Sequence, residues 1–366
     1  MFLFIFSFLP LIYSLYHSFN ITSDEHKALR ALSYETIYLI PSEFRRLLVN
    51  ICFDSCYPFY LTTNVAEMRV FEHNMKKLSL DQSIHSMKME DEVIDAVSFA
   101  NISMDKFTLE RFPFYIVKYN KSYSSSNYVG QLGLGYQYEN TRANPLKEQM
   151  SFIDMLYQTK QIERRVFFIK MKNANQGLLG IGDYPNEITK RPNQYKTCDL
   201  LKYSSTLSLD ESDNLNSYFE CSLYGVYFES DREYFYPSRK RIRFHVASNV
   251  VFTPHKFFEY LKEKMFKQYL DNKVCTIKHI SKYELIKCKV ANLDEKFYQS
   301  KISFIIGKWN FKLSMNKLFY GHRDIKTFSI CRDDTVDSWL IGFPLIMEYI
   351  PVFDKEKHQF GLIKKD

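Results

Sequence analysis

The chain has 366 residues, which is enough for two lobes that each bury a core. It contains 32 Phe and 27 Tyr, and this aromatic content is typical of proteins rich in β-strands. The net charge of +7 is a mild excess. The basic residues are spread out, and the short cluster Arg239-Lys240-Arg241 is interpreted as a solvated face, so a nucleic-acid partner is not indicated.

The N-terminus has the pattern of a targeting signal. Residues 1–14 are almost wholly apolar (MFLFIFSFLPLIYS) and end in a small residue. The run is short for a membrane span and fits a signal peptide, which we predict over residues 1–18. The usual basic region is missing, so a signal anchor is the alternative. The mature chain is expected to lack a stable membrane span and to be secreted or to lie in the endomembrane lumen, including the vacuole or lysosome.

Three N-x-[ST] triplets support a secretory route and are candidate glycosylation sites. They begin at Asn20, Asn101 and Asn120. Such triplets also arise by chance. Asn101 and Asn120 are better placed than Asn20, which lies close to the predicted cleavage site.

Seven cysteines in an oxidising compartment predict disulfides and at least one remaining thiol. Cys198 and Cys221 flank a polar loop and are a candidate pair. Cys52 and Cys56 are four positions apart on a predicted strand, where an extended chain would hold them about 13 Å apart. We therefore expect Cys52 and Cys56 to be unpaired and buried. The His and Cys residues lack paired metal-ligand spacing, so neither a metal nor a cofactor is predicted.

Apolar and alternating runs predict the elements of the first half. The first strand is expected near residues 34–38, and residues 47–53 form an apolar run with strand character. Residues 97–114 alternate like a pair of strands. A glycine-rich turn follows at residues 129–135, and residues 152–156 carry helical spacing.

The most specific motifs lie near the end of the chain. Ser338–Phe343 (SWLIGF), Val352–Asp354 (VFD) and Phe360–Ile363 (FGLI) follow one another. They resemble the "WILG", "VFD" and "GLA" strands of the pepsin-like aspartic proteases, also called eukaryotic aspartyl proteases. In the first half, the motif VGQLGLG at residues 129–135 resembles that family's "DGILGLA". Residues 161–168 and 177–183 resemble two further motifs of the family, in the family's order.

The resemblance implies a mainly β, bilobal fold with two pseudo-symmetric barrel-like lobes around a cleft. It places the N-terminal lobe at residues 19–188 and the C-terminal lobe at residues 189–366. A disulfide is common in the family where Cys288 and Cys331 flank a strand-rich segment, so the resemblance implies this pair.

The resemblance also shows where the chemistry of the family would lie. Active members have two aspartates that share one proton, each at the start of an Asp-Thr/Ser-Gly loop. In the second lobe the loop ends in a proline nine positions after its Asp, here Pro254, which a predicted helix follows. Counting back puts His245 in place of the Asp and Ala247 in place of the Gly. Val246 and Ser248 complete this cleft loop.

The first lobe leaves two registers open. The preferred match is Asp54-Ser55-Cys56, in which Asp54 is a relict catalytic residue and Cys56 replaces the Gly. A rival register, residues 62–64 (Thr-Thr-Asn), has no carboxylate. The family's flap carries a Tyr and a Gly, whereas the matching residues 84–91 have neither and instead provide Met87 and Met89.

The resemblance and these losses together predict a secreted, monomeric pseudoprotease. Its expected role is to bind a peptide or protein in the interlobe cleft without cleaving it. One alternative is an active or weakly active aspartic endopeptidase. Another is a protease-like inhibitor or surface antigen that acts through its outer loops.

Overall fold

Strands dominate the described part of this chain. The structure, a computed structural model, describes residues 17–23, 47–63, 66, 68–71, 74, 87–89, 92–117, 129–136, 151–173, 176–201, 219–229, 234–235, 241–248, 250–280, 283–321, 324–333 and 339–365. Most of the described elements are strands, and they are arranged in sheets. Alternating and apolar runs of sequence are typical of such strands.

The strands of the first half share one large sheet. They are β1 (His17–Ser23), β2 (Leu47–Cys52), β3 (Cys56–Thr62), β4 (Met68–Phe71), β5 (Met87–Met89), β6 (Glu92–Met104), β7 (Phe107–Val117), β8 (Gly130–Gly133), β9 (Val166–Met171) and β10 (Gln176–Ile181).

The strands of the second half are distributed over three sheets. They are β11 (Lys196–Asp199), β12 (Glu220–Ser222), β13 (Gly225–Phe228), β14 (Tyr234–Phe235), β15 (Arg241–Phe244), β16 (Val251–Thr253), β17 (Cys275–Ile280), β18 (Tyr283–Lys289), β19 (Lys301–Ile306), β20 (Trp309–Ser314), β21 (Phe319–Tyr320), β22 (Ile325–Phe328), β23 (Ile330–Arg332), β24 (Trp339–Ile341), β25 (Tyr349–Asp354) and β26 (Gln359–Lys364).

The helices are short and pack beside the sheets. They are α1 (Phe152–Gln158), α2 (Asn186–Lys190), α3 (His255–Tyr260), α4 (Lys267–Asp271), α5 (Glu295–Gln299), α6 (Met315–Leu318) and α7 (Phe343–Glu348), with 3₁₀ turns at Pro192–Gln194 and Val290–Asn292. A π-helical stretch, Leu261–Phe266, joins α3 to α4. Among the described residues, no helix has both the length and the apolarity needed to cross a membrane.

Several elements follow the sequence prediction. The apolar run at residues 47–53 forms β2, and the alternating region at residues 97–114 forms the β6–β7 hairpin. Helix α1 starts where Ser151 accepts a hydrogen bond from the backbone N of Asp154, an N-cap that satisfies an end group of the helix. The strand expected at residues 34–38 lies outside the described residues. Strand β1 begins earlier, at His17, so the signal boundary predicted after residue 18 falls inside it.

One sheet joins the two halves of the chain. Its strand order is β11-β26-β25-β9-β10-β1-β2-β3-β8-β4-β7-β6-β5. Strand β25 from the end of the chain pairs with β9, with Val352 opposite Phe168. The rings of Phe167 and Phe353 stack there at a centroid distance of 4.6 Å. The predicted C-terminal strand β26 lies in this shared sheet, next to β11.

Each half also contains the same four-strand arrangement. In the first half β3 runs parallel to β8, while β4 runs antiparallel to β8 and parallel to β7. In the second half β15 runs parallel to β24, while β16 runs antiparallel to β24 and parallel to β23. The loops that leave β3 and β15 are therefore equivalent, and they define the two sides of the candidate site.

The cysteines correct two predictions and support a third. The structure pairs Cys198 with Cys221, as expected. Cys52 pairs with Cys56, so the prediction that they are unpaired is wrong: the chain reverses in a hairpin between β2 and β3, and the two residues face each other.

The predicted pair Cys288–Cys331 is also wrong. Strands β17 and β18 form a hairpin that places Cys275 opposite Cys288, and these two residues form the disulfide. Cys331 on β23 is a buried free thiol. It packs in a separate apolar cluster with Phe252 and Leu285.

Candidate functional site

The loops after β3 and β15 meet through side chains and backbone. Thr63 Oγ1 donates a hydrogen bond to the carbonyl oxygen of Phe244 (2.8 Å) and accepts one from the backbone N of Val246 (3.3 Å). Beside this bridge, Thr62 Oγ1 and His245 Nε2 lie 3.2 Å apart. Thr62 and His245 are each 3% exposed, so the contact is formed away from bulk water.

Strand register shows that Thr62 and His245 hold equivalent positions. Leu61 pairs in parallel with Leu132, the residue before Gly133. Phe244 pairs in the same way with Ile341, the residue before Gly342. Thr62 and His245 are therefore the next residues in the two repeats. The rival register of the first lobe, which starts at residue 62, is the one that the structure brings to His245.

The structure does not bring Asp54 to this centre. Asp54 and Ser55 lie in the exposed turn between β2 and β3, beside Cys56, which is also exposed. Strand β3 runs for seven residues from Cys56, next to this turn, to Thr62. A strand of that length spans about 20 Å. The expectation that Asp54, Ser55 and Cys56 form the first cleft loop is therefore wrong, because they occupy the opposite end of β3.

Gly342 supports the second loop from below. A Cβ atom at Gly342 would lie 1.9 Å from the carbonyl oxygen of Ser248 and 2.6 Å from that of His245. No side chain can occupy that space, so this position requires glycine. The turn above it is closed by a hydrogen bond from the backbone N of Ser248 to the carbonyl oxygen of His245 (3.1 Å).

Ala247 in the second loop contacts the first half, whereas Ser248 bonds within its own half. Ala247 is partly buried and packs against the cluster formed by Leu48, Tyr60 and Phe71. The family pattern has glycine here, so the methyl group of Ala247 adds an apolar contact between the loop and the opposite lobe. Ser248 is buried and donates from its hydroxyl to the carbonyl oxygen of Val250 (3.0 Å).

Strands β5 and β6 form the antiparallel hairpin that corresponds to the predicted flap. Met87 pairs with Ile94, and Met89 pairs with Glu92. The side chains of Met87 and Met89 are outside the described part of the structure. Their role in lining the cleft remains a prediction.

Lys355, which no sequence motif singles out, is a buried lysine that joins the two halves. Lys355 Nζ donates to the carbonyl oxygen of Gly135 (2.8 Å), to Ser151 Oγ (2.6 Å) and to Asp154 Oδ2 (2.7 Å). Its side chain is 2% exposed. Burial lowers the pKa of Lys355, and the neighbouring Asp154 carboxylate opposes that effect.

The predicted glycosylation sites fall in different surroundings. Asn20 lies in β1, opposite Leu178 of β10. Asn101 is exposed on β6. Asn120 is outside the described residues. Within the described residues, no group of three or more His, Cys, Asp or Glu side chains is arranged to hold a metal ion.

Comparisons with known proteins agree with this architecture. A family model described as eukaryotic aspartyl protease matches residues 71–365. The crystal structure of the aspartic proteinase from Irpex lacteus is similar, with a TM-score of 0.65 over 96% of this chain and 98% of that chain. The identity is 12%, so this likeness concerns the fold alone, and it confirms the predicted pepsin-like bilobal fold. No curated protein matches the chain.

Proposed function

The chain belongs to the eukaryotic aspartyl protease family, and from that premise we propose that it binds a peptide or protein in its interlobe cleft without cleaving it by the aspartic mechanism. The observation that carries the proposal is the contact between Thr62 and His245 at the two equivalent loop positions. We further propose that the protein is a secreted or lumenal monomer, and its three disulfides are consistent with an oxidising compartment.

The loss of aspartic chemistry follows from the groups at these positions. Two carboxylates about 3 Å apart share one proton because both cannot ionise together, and this lets one act as base and the other as acid. The hydroxyl of Thr62 does not ionise in the pH range of such enzymes. An imidazole beside a hydroxyl can exchange hydrogen bonds, but it has no second carboxylate with which to share a proton.

The retained scaffold supports a remaining role in binding. Thr63 connects the two loops, Gly342 supports the second loop, and Lys355 joins the halves. These contacts hold the loops opposite each other without supplying the reacting groups. A cleft kept in this form offers two facing walls to an extended peptide.

Peptide selection followed by calorimetry tests the binding proposal. Peptides selected from a displayed library against the purified full chain are titrated into wild type, Thr62→Val and Thr253→Val. Thr62→Val removes the hydroxyl at the loop contact, whereas Thr253 is a buried threonine on β16 and serves as the matched control. We expect Thr62→Val to weaken binding severalfold and Thr253→Val to leave it unchanged.

Two outcomes contradict the proposal. Selected peptides that bind all three proteins equally place the binding surface outside the loop contact, as expected for a protein that acts through its outer loops. Peptides recovered in cleaved form, with cleavage blocked by a transition-state-type inhibitor, favour an active endopeptidase.

A further inference from the structure

Three alternate residues of β6 share one solvent-facing side of the β6–β7 hairpin. Phe99 is 46% exposed, Asn101 is exposed and Ser103 is half-buried. The residues between them point to the core, with Ala100 9% exposed and Ile102 3% exposed. Because side chains alternate along a strand, the aromatic ring, the amide and the hydroxyl lie in a row on the same face.

The backbone opposite Asn101 is irregular in a way that holds its side chain. Ala100 pairs with Phe112 and Ile102 pairs with Leu109, so two residues of β7 oppose the single residue Asn101. This is a β-bulge. Arg111, one of those two residues, has φ of 50°, and its backbone N donates a hydrogen bond to Asn101 Oδ1 (3.0 Å). The bond orients the amide through its oxygen and does not use Nδ2.

The exposed Phe99 precedes Asn101 by two positions and lies on the same face of β6. The Arg111 guanidinium is 5.8 Å from the centroid of the Phe99 ring, so one polar neighbour is already packed against it. The remaining exposed ring surface is an apolar patch two positions from a sequon asparagine. Covering it would remove apolar area from water and is therefore favourable.

We propose that Asn101 carries an N-linked glycan and that the first sugar of this glycan packs on the ring of Phe99. In the transfer step, a bond forms between Asn101 Nδ2 and C1 of the sugar, and the bond from C1 to the phosphate oxygen of a lipid-pyrophosphate-linked oligosaccharide breaks. The amide proton goes to the base of the transferase, and the lipid pyrophosphate leaves. Ser103 supplies the hydroxyl that the triplet Asn101-Ile102-Ser103 requires.

Site mapping by mass spectrometry tests the modification. The full chain is expressed in a eukaryotic secretory host and digested, with and without enzymatic release of N-glycans, which leaves an aspartate where a glycan was attached. We expect the peptide that contains Asn101 to carry a glycan, and Ser103→Ala to abolish it. Ser103→Ala is the matched control, because it keeps Asn101 and its bond to Arg111. An unmodified Asn101 peptide in the expressed wild type overturns the proposal.

A cycle with Phe99 tests the packing of the sugar. Thermal midpoints are measured for wild type, Phe99→Ala and Phe99→Leu, each before and after glycan release. We expect release to lower the midpoint of the wild type and to lower that of Phe99→Ala by less, with Phe99→Leu between them. An equal shift in all three proteins would show that the glycan does not contact the ring. Phe99 is half exposed, so the folded state is expected to tolerate both substitutions.

Discussion

The two halves of the molecule deliver their central loops by the same strand arrangement, yet the loops end in different side chains. In the first half β3 runs beside β8 and ends at Thr62. In the second half β15 runs beside β24, and His245 follows it. The same strand arrangement thus carries a threonine in one half and a histidine in the other. Its stability depends on glycine, backbone hydrogen bonds and apolar packing, none of which requires a catalytic carboxylate.

Of the substitutions proposed here, Gly342→Ala should destabilise the folded protein most. The added methyl would meet the backbone at the loop of His245 and Ser248, and backbone cannot move aside as a flexible side chain does. We expect a loss of about 3 kcal/mol in the free energy of unfolding, at the upper end for overpacking. Urea unfolding measures it.

Gly225→Ala is the control for that variant. Gly225 is also buried in a strand, but the nearest atom to a Cβ there would be Cδ1 of Ile305 at 3.4 Å, an ordinary contact. An equal loss in the two variants would mean that the space beneath the loop of His245 is not what restricts Gly342.

Lys355→Met should weaken the connection between the halves. It leaves the Asp154 carboxylate without its closest cation, since Arg165 lies 3.8 Å away and Lys355 only 2.7 Å away. Removing one member of a buried ion pair costs about 3 kcal/mol. Adding Asp154→Asn should recover part of the loss. A double variant as unstable as the sum of the single variants would show that the two residues are not coupled.

Thr63→Val tests the bridge between the two loops. Valine keeps the shape of threonine but removes the hydroxyl that pairs with both Phe244 and Val246. Buried backbone groups then lose their partner, and we expect a cost of about 2 kcal/mol. Thr62→Val removes a hydroxyl whose contact with His245 joins two side chains, and it should cost less. If thermal unfolding showed a larger loss of stability for Thr62→Val than for Thr63→Val, the assignment of Thr63 as the structural bridge would be contradicted.

The smallest expected effect is a pH dependence at Lys355. Burial lowers the pKa of Lys355 in the folded protein below its usual value of about 10.4 in the unfolded chain. Between these two values the unfolded chain binds more protons at this residue, so stability rises with pH there. The free-energy difference between wild type and Lys355→Met should therefore shift in favour of wild type as the pH increases through this window. A difference that is flat with pH would contradict the lowered pKa.

The sequence predicted the frame better than the contents of the site. Glycine and apolar motifs are short stretches that can be recognised without the rest of the fold. Gly342 is an example, because no side chain fits beneath the loop at its position. Counting back from Pro254 led to His245, the residue that the structure brings within 3.2 Å of Thr62. In the first half the preferred match was Asp54, because it is a carboxylate that follows an apolar run. The pairing of β3 with β8 instead brings Thr62 to His245.

Two of the three disulfides and the interlobe lysine could not be found in the same way. Cys52 faces Cys56 because the chain turns between them. The sequence prediction assumed one extended strand over these residues and therefore missed the turn. Cys275 faces Cys288 for the same reason. Lys355 follows the VFD motif as an ordinary basic residue, and only the packing of β25 against the first half buries it.

A hydrolysis assay between pH 3 and pH 6 tests the central claim most directly. It uses purified wild type, His245→Ala and Thr62→Ala with a mixed peptide substrate, with and without a transition-state-type inhibitor of aspartic proteases. The account predicts no inhibitor-sensitive cleavage by any of the three, because Thr62 and His245 supply no shared proton. Cleavage by the wild type that the inhibitor blocks and that His245→Ala abolishes would contradict the account.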